Sequence, residues 1–138
     1  MTRTVPGAAD PRAISAAEYD ASEIRGRRIL CVDDDPFIRR ATSGLLRDAG
    51  AICLLAGTHE EAVALVGGEW ELALAILDFQ MPDGDVGHLV KRLRTARPVL
   101  PLIGTSAADR RSEFAERGVS RFLDEPWQLE DLVRAMKW

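Results

Sequence analysis

From residue 27 onward, dense apolar runs alternate with stretches in which apolar residues recur every three or four positions. "RRILCVD" (27–33) is short, apolar and β-branched, the pattern of a strand buried on both faces. Asp35 then stands as a cap before a helix with Pro36 at its first position, and Gly50 ends that helix. "AICLLA" (51–56) reads as a second strand. Thr58 and Glu61 form a capping box that opens a helix with Ala62, Leu65 and Val66 on one face. "ELALAIL" (71–77) is a third strand, running into Asp78. Val86, Leu89, Val90 and Leu93 share a helical face. "VLPLIGTS" (99–106) gives a fourth strand, "ADRRSEFAER" (108–117) a short helix closed by Gly118, and "VSRFLD" (119–124) a fifth strand. Leu129, Leu132, Val133 and Met136 predict a last amphipathic helix.

This is βα repeated five times, so the expected fold is α/β: a doubly wound, five-stranded parallel sheet with helices on both faces. Residues 1–25 break the pattern. They are an N-terminal extension, either a mobile tail or a short helix opened by "SAAE" (15–18) and running through Ile24. The remaining span, 26–138, forms one domain.

Composition narrows the function. With 46% hydrophobic residues among 138, the chain can bury a core. A net charge of −4 argues against nucleic acid as a partner. No apolar run of about 18 residues and no leader pattern occurs, so neither a membrane span nor a secretion signal is expected, and the location read from the sequence is cytoplasmic. Cys31 and Cys53 lie inside apolar runs without metal-ligand spacing and read as buried thiols. His59 and His88 are isolated, helix-borne and expected at the surface.

The chemistry gathers at strand ends. In an open parallel sheet, ligands bind beyond the carboxyl ends of the strands, near the switch in strand order. Asp33 and Asp34 end the first strand and Asp78 the third. If those strands are neighbours, the carboxylates converge and oppose folding unless a cation intervenes. A hard divalent ion with oxygen ligands, Mg2+, fits that need. On its own, "DDDP" is equally consistent with exposed strand-end and capping residues. The lone Asp78 ending an apolar strand, followed by "FQMPDGD", tips the balance.

Together, "RILCVDDDP", "LAILDFQMPDGD" and "PLIGTSA", in this order and on these strands, resemble the receiver domain of two-component response regulators. The resemblance covers all but the N-terminal extension and implies the flavodoxin-like receiver fold. It also implies a phosphoprotein that is not an enzyme beyond self-phosphorylation and self-dephosphorylation. Asp78 would be the phosphoacceptor, taking a phosphoryl group from a histidine kinase or phosphotransfer protein. Asp34 and Asp78 would hold Mg2+ with the backbone carbonyl of Gln80, while Asp33 acts at one remove through a water. Ser106 would be the switch hydroxyl, with Thr105 beside it, and Phe122 stands at the aromatic switch position.

The sharpest departure from the family lies at one position. A lysine normally precedes the proline after the fifth strand; here "FLDEPW" places Glu125 before Pro126, in a bond expected to be cis. Attraction becomes repulsion, about 4 kcal/mol for unit charges ~4 Å apart at an effective dielectric of ~20. Glu125 could point outward, be protonated, be offset by Arg121, or act as an additional metal ligand. The "FQMPDGDV" loop, with Val86 where a glycine is usual, should take a different turn. The shortened stretch from Ser106 to Glu125 should give a short or displaced helix.

Two functions follow from the resemblance. One is a single-domain response regulator that signals through protein contacts, with a downstream target or a homodimer as its output. The other is a receiver-like interaction module that Glu125 has made independent of phosphorylation. An aspartate-dependent phosphohydrolase is disfavoured, because Phe37 stands where its motif needs Thr or Val.

Overall fold

The computed structural model describes residues 21–137 except residue 69; the "SAAE" segment lies outside these. Five strands, β1 (Arg28–Val32), β2 (Ile52–Ala56), β3 (Leu74–Asp78), β6 (Leu102–Ser106) and β7 (Arg121–Asp124), form one parallel sheet in the order β2-β1-β3-β6-β7. Between them run α1 (Pro36–Asp48), α2 (His59–Val66), α3 (Val86–Ala96) and α4 (Arg111–Glu116), and α5 (Leu129–Ala135) follows the last strand. The βα alternation, the doubly wound sheet and the cis bond between Glu125 and Pro126 are all as the sequence suggests. The helix after β6 is indeed short.

The period of two in each strand sorts side chains onto two cores. Leu30, Val32, Ala75, Leu77 and Leu102 face α2, α3 and Phe114 of α4. Ile29, Cys31, Leu74, Ile76 and Ile103 face Leu46 of α1 and Leu132 and Val133 of α5. Cys31 and Cys53 are free, buried thiols in this second core. Complete burial of such a side chain contributes about 1.5–3 kcal/mol, so both helical layers are strongly held. Ile24, following a single 3-10 turn at Ala21–Glu23, is also fully buried in the second core.

Caps set the helix ends. Asp35 accepts a hydrogen bond from the Phe37 amide at 2.9 Å and starts α1. Gly50, at φ +92°, turns the chain out of α1 in a conformation that a side chain would strain. Thr58 caps α2 through the Glu61 amide at 3.0 Å, but the Glu61 carboxylate reaches back to Gly57 N–H rather than to Thr58. After β3, the chain forms a small hairpin that periodicity did not predict, β4 (Gln80–Met81) against β5 (Gly84–Asp85). It carries the chain from Asp78 into α3.

This hairpin corrects the expectation for His59. The ring is 5% exposed, not a surface group, because Gly84 lies over it. Asp83 at the hairpin tip accepts from the His59 amide at 2.6 Å, and its other oxygen is 3.8 Å from Nε2. His88, on α3, is exposed as expected.

Candidate functional site

Strand register brings the acidic residues together. β1 and β3 are adjacent, so Asp33 and Asp78 emerge side by side at their carboxyl ends. Glu125 follows β7 directly, and its amide extends the ladder to Ser106 O at 3.0 Å. Asp33, Asp78 and Glu125 share the strand parity of Cys31, Ile76 and Leu123, so all three lean to the α1/α5 side. Each offers a carboxylate oxygen, and these atoms lie within 4.8 Å of one another. Glu125 points inward.

Asp34 has the opposite parity. It is exposed and stands outside this triplet, although its charge still acts on Asp78. The triplet therefore draws on Asp33, where the sequence motif pairs Asp34 with Asp78. Gln80 is exposed at the start of the hairpin, its amide 3.4 Å from Asp78 Oδ1. Ser106 is buried beside the site, its hydroxyl accepting from the Ala108 amide at 3.2 Å. Thr105, opposite Asp78 in register, donates its hydroxyl to Leu123 O at 3.0 Å and also touches the Glu125 carboxylate. Arg121 begins β7, at the far end of that strand from Glu125.

The electrostatics follow from this crowding. Burial pushes the Asp78 carboxyl up to about 7, and the neighbouring Asp33 and Glu125 charges add to the effect. Burial likewise raises Asp33, against the Asp35 N–H that donates to it at 2.9 Å. Glu125 is raised by burial and then by Asp33. Arg39, which no sequence signal singled out, donates to Asp33 O at 2.7 Å and partly offsets the Asp33 charge. Its place one helical turn after the Asp35 cap is the signal that could have found it.

Such a pocket suits a hard cation. The donors are all oxygens, and Glu125 Oε2 is buried without a hydrogen-bond partner. Buried acceptors are normally satisfied, so an orphaned oxygen on one carboxylate of this triplet fits a divalent ion such as Mg2+. Asp33, Asp78 and Glu125 surround the place for it, and Trp127 lines a narrow cleft together with Asp33 and Glu125.

An aromatic row leads away from the pocket. Phe79, next to Asp78, meets Phe114 edge-on with centroids 5.3 Å apart, and Phe114 meets Phe122 at 5.8 Å. Arg110 and Arg117 sit over Phe79 and Arg111 over Phe122. Phe122 is thus half-buried against Phe114, while Arg111 also pairs with Asp124 at 2.8 Å. Trp127 packs against the second core. Among the described residues, no helix is long and apolar enough to cross a membrane.

Known proteins resemble this chain in sequence and in fold. The model of the response regulator receiver domain matches residues 29–137. The two-component response regulator ARR22 of Arabidopsis thaliana is 36% identical over 103 residues, covering 71% of this chain and 72% of that protein. The transcriptional regulatory protein PmrA of Pectobacterium parmentieri is 34% identical over 115 residues, and the chain spans 51% of its length. Among solved structures, the chemotaxis response regulator CheY4 of Vibrio cholerae superposes with a TM-score of 0.71 at 25% identity, over 81% of this chain and 97% of that one. The response regulator TrrA of Thermotoga maritima, solved in complex with Mg(2+)-BeF, gives 0.70 at 26% identity, over 80% and 96%. With the sheet order, the strand-end carboxylates and the family match in agreement, the chain belongs to the response regulator receiver domain family of two-component systems.

Proposed function

We propose that the chain accepts a phosphoryl group on Asp78 from a phosphohistidine of a kinase or phosphotransfer protein and signals through protein contacts. The observation that carries this reading is the position of Asp78: a strand-end carboxylate at the rim of a buried, all-oxygen pocket, in a chain of this family. An Asp78 oxygen attacks phosphorus, the bond from phosphorus to the histidine nitrogen breaks, and the electron pair returns to the imidazole. The Gln80 amide beside Asp78 Oδ1 orients the nucleophile. Ser106, held at the end of β6, supplies a hydroxyl for a phosphoryl oxygen. Bound Mg2+ supplies charge neutralisation for the transfer, and TrrA, a relative of the same fold, was solved with Mg(2+)-BeF. The partners are a protein phosphodonor and a protein target or second copy, with no role for nucleic acid or membrane. The chain acts as an acceptor in this scheme, not as a turnover enzyme.

The inward Glu125 supports a second reading, in which the fold serves as an interaction module independent of phosphorylation. Incubation with Mg2+ and acetyl phosphate, or with beryllofluoride, separates the two. The first requires a mass gain, or a spectral change, that Asp78→Asn abolishes; its absence in the intact protein leaves the second.

A further inference from the structure

We propose that Glu125 is a direct ligand of the divalent cation, so that the pocket holds its ion through three carboxylates, Asp33, Asp78 and Glu125. The inference rests on the reading of this pocket as a cation site and assigns the residue that departs from the family pattern a role within it.

Three observations converge. The three carboxylates offer oxygen atoms within 4.8 Å of one another, a spacing that a single ion can bridge with small side-chain adjustment. Glu125 Oε2 is shielded from solvent and has no hydrogen-bond partner, so the oxygen lacks the compensation that burial normally demands. The backbone of Glu125 is also fixed, its amide bonded to Ser106 O at 3.0 Å. The side chain therefore meets the pocket from a rigid strand end rather than from a loose loop. Thr105 already shares its hydroxyl with Leu123 O, and Arg39 donates to a main-chain carbonyl, so neither fully satisfies the Glu125 carboxylate.

The charge balance then differs from that of a pocket completed by a lysine. Three ionised carboxylates and a divalent ion leave a residual charge of about −1, and an arriving phosphoryl group adds to it. Glu125 thus favours cation retention at the expense of anion retention. Each additional carboxylate ligand generally tightens binding of a hard cation, and a crowded ligand set displaces water from the ion.

Titration of the metal-free protein with Mn2+ tests the inference, with free ion followed by electron paramagnetic resonance and bound water by proton relaxation. The near-isosteric Glu125→Gln is expected to weaken Mn2+ binding at least tenfold and to raise the relaxivity of the bound ion by admitting water. Asp78→Asn should weaken it comparably. Circular dichroism of each variant verifies folding. If Glu125→Gln binds Mn2+ within threefold of the intact protein at unchanged relaxivity while Asp78→Asn does not, Glu125 is no ligand and the cation site stands without it. If the intact protein binds no Mn2+ at millimolar concentration, or binds it equally well after Asp78→Asn, the cation reading itself falls and the inference with it.

Discussion

Arg117 and Asp85 form a two-pronged ion pair, Nε to Oδ1 at 2.9 Å and the second guanidinium nitrogen to Oδ2 at 3.0 Å. The pair joins the end of α4 to the cap of α3, and so ties the hairpin that follows Asp78 to the β6–β7 side of the molecule. Arg117 holds the Asp85 carboxyl down at about 2. Because the folded value is depressed, the contribution is present above the ordinary carboxylate range near 4 and disappears as pH falls toward 2. Asp85 is 45% exposed, so solvent screening keeps the coupling modest. A double-mutant cycle with Arg117→Ala and Asp85→Asn, read by thermal unfolding, should show a favourable coupling at pH 7 and low salt and lose it at pH 2.

Asp78 behaves in the opposite sense. Its folded value is raised to about 7, so the proton-linked stability is complete below the unfolded value near 4 and is lost as pH rises through 7. Asp33 and Glu125 shift the same way. Without divalent ions the protein should therefore melt lower at pH 8 than at pH 5. Asp78→Asn should remove part of that difference and exceed the intact protein by about 1–2 kcal/mol at pH 8, since each tenfold change in proton affinity corresponds to about 1.4 kcal/mol before screening. Millimolar Mg2+ should restore the intact protein at pH 8 and leave the variant nearly unchanged.

Gly104 gives a packing test independent of charge. A Cβ at this position would lie 2.5 Å from the ring of Phe114, which is completely buried between Phe79 and Phe122. Gly104→Ala should cost about 1–3 kcal/mol and lower the melting midpoint by several degrees. A neutral result in calorimetry would mean that the aromatic row moves more easily than its contacts indicate.

Reversing the charge of Glu125 addresses the fate of the phosphoryl group. Glu125→Lys replaces repulsion by attraction at a distance of a few Å, an effect of several kcal/mol at an effective dielectric of ~20, where about 1.4 kcal/mol is a factor of ten. At saturating Mg2+ the acyl phosphate formed from acetyl phosphate should survive at least tenfold longer than in the intact protein. Decay followed by phosphate-affinity electrophoresis measures this. Equal lifetimes would place the Glu125 charge outside the reach of the phosphoryl group.

Much of the architecture was legible because apolar periodicity and caps agree along the chain. Asp35, Pro36 and Gly50 bound α1 in the sequence as they do in the fold. The site was less so, for reasons that individual residues make plain. Strand parity, had it been carried past the last apolar residue, turns Asp33, Asp78 and Glu125 to one side of the sheet. His59 looked exposed because nothing in α2 alone covers it; the cover comes from Gly84, in a hairpin of two-residue strands too short to leave a periodic signal. Arg39 is one arginine among many until α1 is wound, when its guanidinium reaches Asp33 O.

Ile24 lies ahead of the span that matches the family, yet it is sealed between Ile29, Leu46 and the last helix. A fragment trimmed to residue 29 would leave an isoleucine-sized void in that layer, at a cost of about 2–5 kcal/mol. Since the Gly26 amide bonds Gly50 O just before β1 begins, the upstream chain enters at the amino edge of the sheet, opposite the carboxylates. Tags, reporters or tethers attached in front of Ile24 would therefore be anchored at the base of the molecule.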